Sequence, residues 1–367
     1  MENSIAQRSP LHALLWFAAR GREDLSLAAF AAHHVRWAIE TGLGPLLFRT
    51  TRAHPQTPTS PFYPLLRGAY LSGQVLTTEL LEAMEEILDA CAGCISQIVL
   101  LKGISLCEQY YPEPYLRPMR DLDFLVEEAE LPRVEAVLAT LGYRQRSSQP
   151  AEWYATHHHS MPFYHPRRGV WVEVHRGLVP QRERRRSGRV FSLDTIRTQV
   201  RPSVFRGRAV TRLSDELQIP YIASHWARDF KTVGGMIALL DIIYLLENTK
   251  DTLHWEPILD WLHDSTAATH LYLLLSYLDR HQLVDIAPEV LCALSARARS
   301  LGPANCKILH ALIDHYLVRG TPFGWVCSLR NLDILWRTLL LPGAPARNLL
   351  LVPLLLFLPW RLRARLL

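Results

Sequence analysis

The segment Arg120–Val126 carries the pattern that most restricts how this chain can fold. Side chains alternate between the two faces of a β-strand, so Leu122 and Phe124 can enter a core while Asp121 and Asp123 share the opposite face. Two neighbouring carboxylates repel each other and raise each other's pKa, and a divalent cation with oxygen ligands relieves that repulsion. Because an isolated Asp-x-Asp is more often a solvated strand face, its interpretation depends on the surrounding sequence.

Two further segments are predicted to form strands. Residues 98–101 are a short continuous apolar run, typical of a central strand buried on both faces. Residues 169–175 alternate cleanly, with three valines on one face and with Glu173 and His175 on the other. Glu173 is therefore a third acid on the polar face of a predicted strand.

Helical segments flank this predicted sheet. Apolar residues recur at three- and four-residue spacing through much of the first ninety-odd residues and again from Leu213, with Pro220 expected to break a helix early. The arginine-rich segment 182–189 is expected to be a solvated loop that could also hold phosphates or a polyanion. The sequence thus predicts an α+β fold with a helical region at 1–95, a core with a small mixed β-sheet at 96–212, a helical domain at 213–340, and an apolar, basic tail at 341–367.

Composition limits the class of protein. The 367 residues are 49% hydrophobic and 20% charged, which indicates a folded globular protein with two or three domains. Six cysteines without a regular framework and no signal peptide predict a cytoplasmic protein, in which Cys91 and Cys94 would be ordinary buried thiols. The apolar run 349–358 is shorter than the about 20 residues that span a bilayer. A buried helix is expected there, with contact to a membrane surface or a partner protein as the alternative.

Three acids on strand faces match the needs of phosphoryl transfer with two cations. Magnesium prefers a few carboxylates together with substrate oxygens. Lys102 and Gly103, directly after the first predicted strand, add a compact positive charge and a backbone that can approach a phosphate closely. The histidine run 157–159 invites a zinc site, but consecutive residues are not expected to point at one ion, so zinc receives little weight.

These residues resemble the nucleotidyltransferase superfamily, which has the DNA polymerase beta-like catalytic fold. The resemblance covers about residues 95–260 and rests on Leu100-Leu-Lys-Gly103, Asp121-Leu-Asp123 and Glu173. It is closest to a bacterial branch of uncharacterised nucleotidyltransferases, which shares Arg-x-x-x-Asp-Leu-Asp-Phe-Leu-Val, Leu-Gly-Tyr, Val-Glu-Val-His and a helical segment with His225 and Asp241. The chain departs from the superfamily pattern in its Lys-Gly turn and in the long gap before the Asp pair.

The resemblance implies metal-dependent transfer of a nucleoside monophosphate from a nucleoside triphosphate, such as ATP, to a hydroxyl-bearing acceptor. It implies that Asp121, Asp123 and Glu173 are the catalytic acids and bind Mg²⁺ or Mn²⁺. The residues expected to contact the nucleotide are Lys102, Gly103, Ser105, Arg117 and His175. The sequence does not choose between a small molecule, a protein and an RNA as the acceptor.

Two other functions stay open at this point. Metal-dependent glycosyltransferases also use Asp-x-Asp, to hold a nucleotide sugar through the cation, but they would need a larger doubly wound domain before the motif. Alternatively, the fold could be a catalytically inactive binding module whose C-terminal helices and tail engage a partner or a membrane. Acids at all three positions weigh against a loss of catalysis.

Overall fold

The computed structural model of the chain describes residues 9–314, except for 148, 230–233, 264, 299–300 and 302. The tail at 341–367, with its apolar run, lies outside the described residues. Within them the fold is α+β, as predicted, because helices surround one mixed sheet of seven strands. No helix in the described part of the chain has the length and apolar character needed to cross a membrane.

The sheet is built around two short central strands. Its strands in chain order are β1 (Val99–Leu100), β2 (Asp121–Leu125), β3 (Arg144–Gln145), β4 (Phe163–His165), β5 (Val170–His175), β6 (Val200–Phe205) and β7 (Arg208–Leu213). Across the sheet the order is β3-β4-β5-β2-β1-β7-β6. β2 runs parallel to β5 and antiparallel to β1, and β1 runs parallel to β7. The expected central strand is confirmed, although it is shorter than the apolar run that predicted it.

Helices precede, connect and follow the strands. They are α1 (Pro10–Ala19), α2 (Ala32–Glu40), α3 (Gly44–Thr51), α4 (Tyr63–Cys91), α5 (Lys102–Gln109), α6 (Leu131–Thr140), α7 (Ala151–Ala155), α8 (Gln181–Arg186), α9 (Leu193–Thr198), α10 (Asp215–Asp229), α11 (Gly234–Thr249), α12 (Trp255–Trp261), α13 (Thr266–Arg280), α14 (Pro288–Arg297) and α15 (Pro303–Leu312). The long α4 lies against the sheet, and α10 packs on α11 and α13.

The alternation along β2 and β5 determines which face of the sheet is covered. Leu122, Phe124, Val172 and Val174 are fully buried and share a core with side chains of α4 and α6, such as Met84. Fully burying an apolar side chain of this size stabilises a fold by about 1.5–3 kcal/mol. The acids of the same strands therefore face the other side of the sheet, as the alternation predicts.

The arginine-rich region is more regular than the sequence suggested. The prediction of a solvated loop was wrong, because α8 occupies part of that segment. Strands β6 and β7, which follow it, form a hairpin that adds two strands to the sheet. Arg206 and Arg208 of this hairpin pair with Glu85 on α4, and Arg208 also pairs with Asp89 at 2.6 Å. Arg206 and Arg208 thus attach an outer hairpin to a helix.

Two smaller predictions were also wrong. Pro220 does not end a helix, since it lies inside α10. It stands within the first two turns, where a proline removes a backbone hydrogen bond close to the helix start. Cys91 is buried, but Cys94 is exposed because it follows the end of α4 in a turn. Both are free thiols.

Candidate functional site

The parallel pairing of β2 with β5 brings two of the three acids side by side. Asp123 lies opposite Glu173 in the strand register, and Asp121 lies opposite Trp171. Asp123 is only 2% exposed, whereas Asp121 and Glu173 are half-buried. A buried polar strand face of this kind costs free energy unless its charges are paired.

Lys102 supplies one partner for these charges. Its Nζ atom lies 2.6 Å from Asp123 Oδ1 and 3.7 Å from Glu173 Oε2. The backbone of Lys102 is left-handed, with φ of +46°, at the point where the chain leaves β1 and starts α5. Residues other than glycine seldom adopt this conformation, and such strain is common at functional sites. The backbone bond from Leu101 N to Asp123 O, 3.0 Å long, holds this junction beside β2.

Two histidines complete the polar cluster. The fully buried His175 places Nε2 at 2.9 Å from Asp123 Oδ1 and at 3.7 Å from Glu173 Oε2. His159 lies next to it, with Nε2 at 3.9 Å from Glu173 Oε2 and Nδ1 at 2.7 Å from the carbonyl oxygen of Ser160. Burial and the neighbouring His175 lower the pKa of His159 to about 3. A neutral His159 that donates its Nδ1 proton to Ser160 turns an unprotonated Nε2 towards Glu173.

The three carboxyl groups differ in how readily they lose a proton. Burial tends to raise the pKa of Asp123, but the Lys102 ammonium and the hydrogen bond from His175 outweigh it, so this pKa lies well below its ordinary value. Burial and the charge of Asp123 raise the pKa of Asp121 to about 6 and that of Glu173 to about 8. One Lys charge is thus enough to ionise Asp123 but not all three acids.

The donor atoms suit a divalent cation. One ligand atom from each of Asp123, Glu173 and His175 lies within 4.8 Å of the other two. Asp121 is outside this group of three but shares the strand face, and its pKa responds to Asp123 and Lys102. The carboxylate oxygens match the preferences of Mg²⁺ and Mn²⁺, whereas the imidazole of His175 is a ligand typical of softer metal ions. A bound cation would favour the ionised form of Asp121 and Glu173.

A cavity of about 440 Å³ opens beside this cluster. The predicted residues Lys102, Gly103, Arg117, Asp121 and Asp123 all line it, and side chains of α10 and α11 form much of the opposite wall. This volume falls within the range of small-molecule sites. The cavity therefore gives the acidic face a space in which a substrate can bind.

Arg117, predicted to contact the nucleotide, is held by an acid outside the Asp pair. Its guanidinium makes two hydrogen bonds to Asp241, at 3.1 and 2.9 Å, and the hydroxyl of Tyr111 donates to the same carboxylate at 2.7 Å. Arg117 also lies so close to Gly103 that a Cβ atom there would come within 2.4 Å of it. The arginine thus fixes the wall of the cavity, and its charge is largely taken up by Asp241.

Two of the predicted nucleotide contacts, Ser105 and His175, do not line the cavity. Ser105 is buried, donates its hydroxyl to Gln109 at 3.1 Å and is not among the residues that line the cavity. Sequence reasoning did not assign a role to His159 or to Asp241. His159 could have been found from its place in the histidine run 157–159. Asp241 could have been found because it lies in the helical segment that resembles the family.

The histidine run 157–159 differs from the expectation that consecutive histidines would not point at one ion. One ring nitrogen from each of His157, His158 and His159 lies within 4.8 Å of the others. Consecutive histidines can therefore converge when the backbone turns, as it does here between α7 and β4. The ring of His157 also stacks on Trp153, with the ring centroids 3.9 Å apart.

Comparison with known proteins gives one clear result. The profile of the family described as uncharacterised nucleotidyltransferase matches residues 31–282, which is more than half of the chain. This range contains all the residues of the polar cluster and of the cavity described above. No curated protein and no solved structure gives a significant match.

Proposed function

This chain belongs to the uncharacterised nucleotidyltransferase family, and on that premise we propose that it transfers a nucleoside monophosphate from a nucleoside triphosphate to a hydroxyl group. Asp121, Asp123 and Glu173 act as the catalytic and metal-binding acids. One observation supports this assignment most strongly. Asp123 and Glu173 lie side by side on parallel strands, and the ammonium of Lys102 lies within 4 Å of both. The position of the Lys102 ammonium thus indicates that positive charge is favoured beside Asp123 and Glu173.

The residues of the site have distinct parts in the proposed reaction. The acceptor oxygen attacks the α-phosphorus of the triphosphate, the bond to the bridging oxygen breaks, and pyrophosphate leaves. Glu173 orients the acceptor hydroxyl and takes its proton, while His175 holds Asp123 through their 2.9 Å contact. Asp121, Asp123 and Glu173 would hold Mg²⁺ or Mn²⁺, which would neutralise charge on the phosphates and align the attacking oxygen.

Lys102 and Gly103 are proposed to serve the triphosphate. Lys102 lines the cavity, and its ammonium would be free to pair with a phosphate oxygen there if a cation held by Asp123 took over the charge of that carboxylate. Gly103 lets the start of α5 approach Arg117 and Met119 closely. The five described cysteines are free thiols, which supports a reducing compartment, and we place the reaction in the cytoplasm.

The two alternatives receive less support. A metal-dependent glycosyltransferase would need a doubly wound domain before the Asp pair, and the described residues before β1 form helices α1 to α4. For an inactive binding module, the observation in favour is the close ion pair between Lys102 and Asp123, since a lysine can replace a metal ion permanently. The reaction assay below separates the active enzyme from this alternative.

The assay would incubate the full-length protein with each α-labelled nucleoside triphosphate, with Mg²⁺ or Mn²⁺, and with small-molecule, protein and RNA acceptors. We expect label transfer that depends on the cation and that falls at least ~1000-fold in Asp123→Asn, because removing one charged group from such a site costs about 4 kcal/mol of transition-state stabilisation. Asp251→Asn is the matched control, since Asp251 is exposed and remote from the cluster in sequence.

Two results would contradict the proposal. Undiminished transfer in the double variant Asp121→Asn plus Asp123→Asn would remove the acids from the reaction. Binding of a triphosphate without any transfer to any acceptor class, together with unchanged binding in the presence of EDTA, would favour the inactive module.

A further inference from the structure

A second group of potential metal ligands lies outside the acidic site and has no part in the proposed reaction. We propose that His12, His281 and Asp314 form a zinc site that joins α1 to the C-terminal helices. His12 lies in α1, His281 directly follows α13, and Asp314 follows α15. Their ligand atoms all lie within 4.8 Å of one another.

The distances among these atoms fit the ligands of one tetrahedral ion and are long for charge-assisted hydrogen bonds. Nε2 of His12 is 3.4 Å from Asp314 Oδ1, and Nε2 of His281 is 3.2 Å from the same oxygen. Charge-assisted hydrogen bonds are shorter, about 2.7–2.9 Å. Two ligands that each lie about 2.0–2.1 Å from a tetrahedral zinc ion are separated by roughly 3.3 Å. The two nitrogens are therefore spaced from the carboxylate as co-ligands would be.

The imidazole rings are already held in a suitable orientation. The rings of His12 and His281 stack with centroids 3.9 Å apart and planes 18° apart, so both present Nε2 to Asp314. Nδ1 of His12 lies 3.0 Å from Ser9 Oγ, and a proton donated on that side leaves Nε2 unprotonated. Outer partners of this kind fix the tautomer of metal-binding histidines.

Tyr277 supports the same carboxylate. Its hydroxyl donates to Asp314 Oδ1 at 2.9 Å, and without a metal ion Nε2 of His12 donates to the hydroxyl oxygen at 2.8 Å. Metal binding would therefore move that imidazole proton to Nδ1, which faces Ser9. The side chains are partly shielded, with His12 9%, His281 19% and Asp314 26% exposed. A site of two imidazoles and one carboxylate suits zinc, with a water molecule in the fourth position, and its partial exposure leaves room for that water.

Such a site would have a structural role. α1 lies near the start of the described chain, and Asp314 is its last described residue. An ion bound by His12, His281 and Asp314 would tie α1 to the ends of α13 and α15. Because the ion would bind only the folded state, it would raise the free energy of unfolding. This role is independent of nucleotidyl transfer, so either proposal can fail without the other.

The test uses full-length protein stripped of metal and carrying Asp123→Asn, which weakens the acidic site. Zn²⁺ affinity is measured by competition with a chromogenic chelator, and Co²⁺ is used to detect the visible absorption of a tetrahedral ion. We expect one Zn²⁺ to bind and to raise Tm. His281→Ala and Asp314→Asn should each weaken Zn²⁺ binding by ~100-fold or more, since each removes a direct ligand.

Two histidine variants serve as controls. His33→Ala removes an exposed histidine, and His157→Ala removes a member of the histidine run near the acidic cluster. Both should keep Zn²⁺ affinity within ~3-fold. Asp314→Asn retains the shape of the side chain and should keep the Tm of the metal-free protein, which separates metal binding from folding. Unchanged Zn²⁺ affinity in Asp314→Asn, or a loss that appears only in His157→Ala, would overturn the proposal.

Discussion

The two faces of strands β2 and β5 have the same backbone but opposite energetics. On one face, Leu122, Phe124 and Val172 are fully buried among other apolar side chains and stabilise the fold. On the other face, Asp123 and Glu173 are held together at a site where burial raises the pKa of Glu173 to about 8. Strict alternation along a strand thus lets one pair of strands stabilise the protein through one face and also carry, on the other face, the carboxyl group of Glu173, whose ionisation is destabilising. A cation would relieve that second effect.

The largest expected effect comes from damage to the apolar face. Phe124→Ala removes a fully buried ring beneath the acids and should lower the free energy of unfolding by about 3–5 kcal/mol. Asp123→Asn, one residue away on the other face, should lower it less, because the amide keeps the shape of the side chain and reduces repulsion with Glu173, which partly offsets the lost ion pair with Lys102. Urea denaturation of both variants in EDTA measures this contrast.

A loss of stability in Asp123→Asn as large as that in Phe124→Ala would show that the ion pair with Lys102 is a principal structural contact. The polar face would then hold the fold together, and the division between the two faces would not stand.

Much of this two-faced arrangement could be predicted from local sequence. Period-two alternation in 120–126 and 169–175 was sufficient to place the acids on one side of the sheet, and the structure confirms that packing. The hairpin of β6 and β7 was missed because arginines at 201, 206, 208 and 212 obscured its apolar positions. Judged by composition alone, a strand whose arginines pair with α4 looks the same as an arginine-rich solvated loop.

Contacts between distant parts of the chain could not be predicted in this way. Arg117 and Asp241 are 124 residues apart, and no local pattern shows that they pair. The left-handed backbone of Lys102 also depends on how α5 leaves β1, which follows from tertiary packing and not from residue type. Local sequence therefore predicts which strand face carries the acids better than it predicts the distant groups that position them.

The close approach around Gly103 gives a sharper test of the cavity wall. An added Cβ would lie 2.4 Å from Arg117 and 2.7 Å from Met119, so Gly103→Ala should cost about 1–3 kcal/mol of stability through overpacking. Gly68→Ala is the matched control. Gly68 lies on the exposed side of α4, where a Cβ meets nothing within 4 Å, and alanine should stabilise the helix there by about 0.5–1 kcal/mol. Thermal and urea unfolding would show a loss of stability in Gly103→Ala and a gain in Gly68→Ala. Equal changes in the two variants would contradict the tight packing around Gly103.

Removing the internal cation should strengthen the binding of an external one. Lys102→Met eliminates the ammonium 2.6 Å from Asp123, and we expect Mn²⁺ to bind about tenfold more tightly, which corresponds to about 1.4 kcal/mol. Isothermal titration calorimetry measures this change, with Lys250→Met as the control because Lys250 is exposed. Weaker Mn²⁺ binding in Lys102→Met would mean that the lysine holds the acids in place for the metal and does not compete with it.

The smallest expected effect is a change in how stability depends on pH. The pKa of Glu173 is about 8 in the folded protein against 4.5 for the ordinary side chain, so the folded state binds this proton more tightly and loses stability as pH rises from about 4.5 to about 8. Glu173→Gln cannot titrate and should flatten that dependence in EDTA, leaving the variant at least ~1 kcal/mol more stable than the native protein near pH 8.5 and similar to it near pH 5. Glu152→Gln, at an exposed position, should leave the native pH dependence in place. If the stability of the native protein in EDTA did not change with pH over this range, ionisation of Glu173 would not destabilise the fold. The two faces would then not differ in their electrostatic effect on stability.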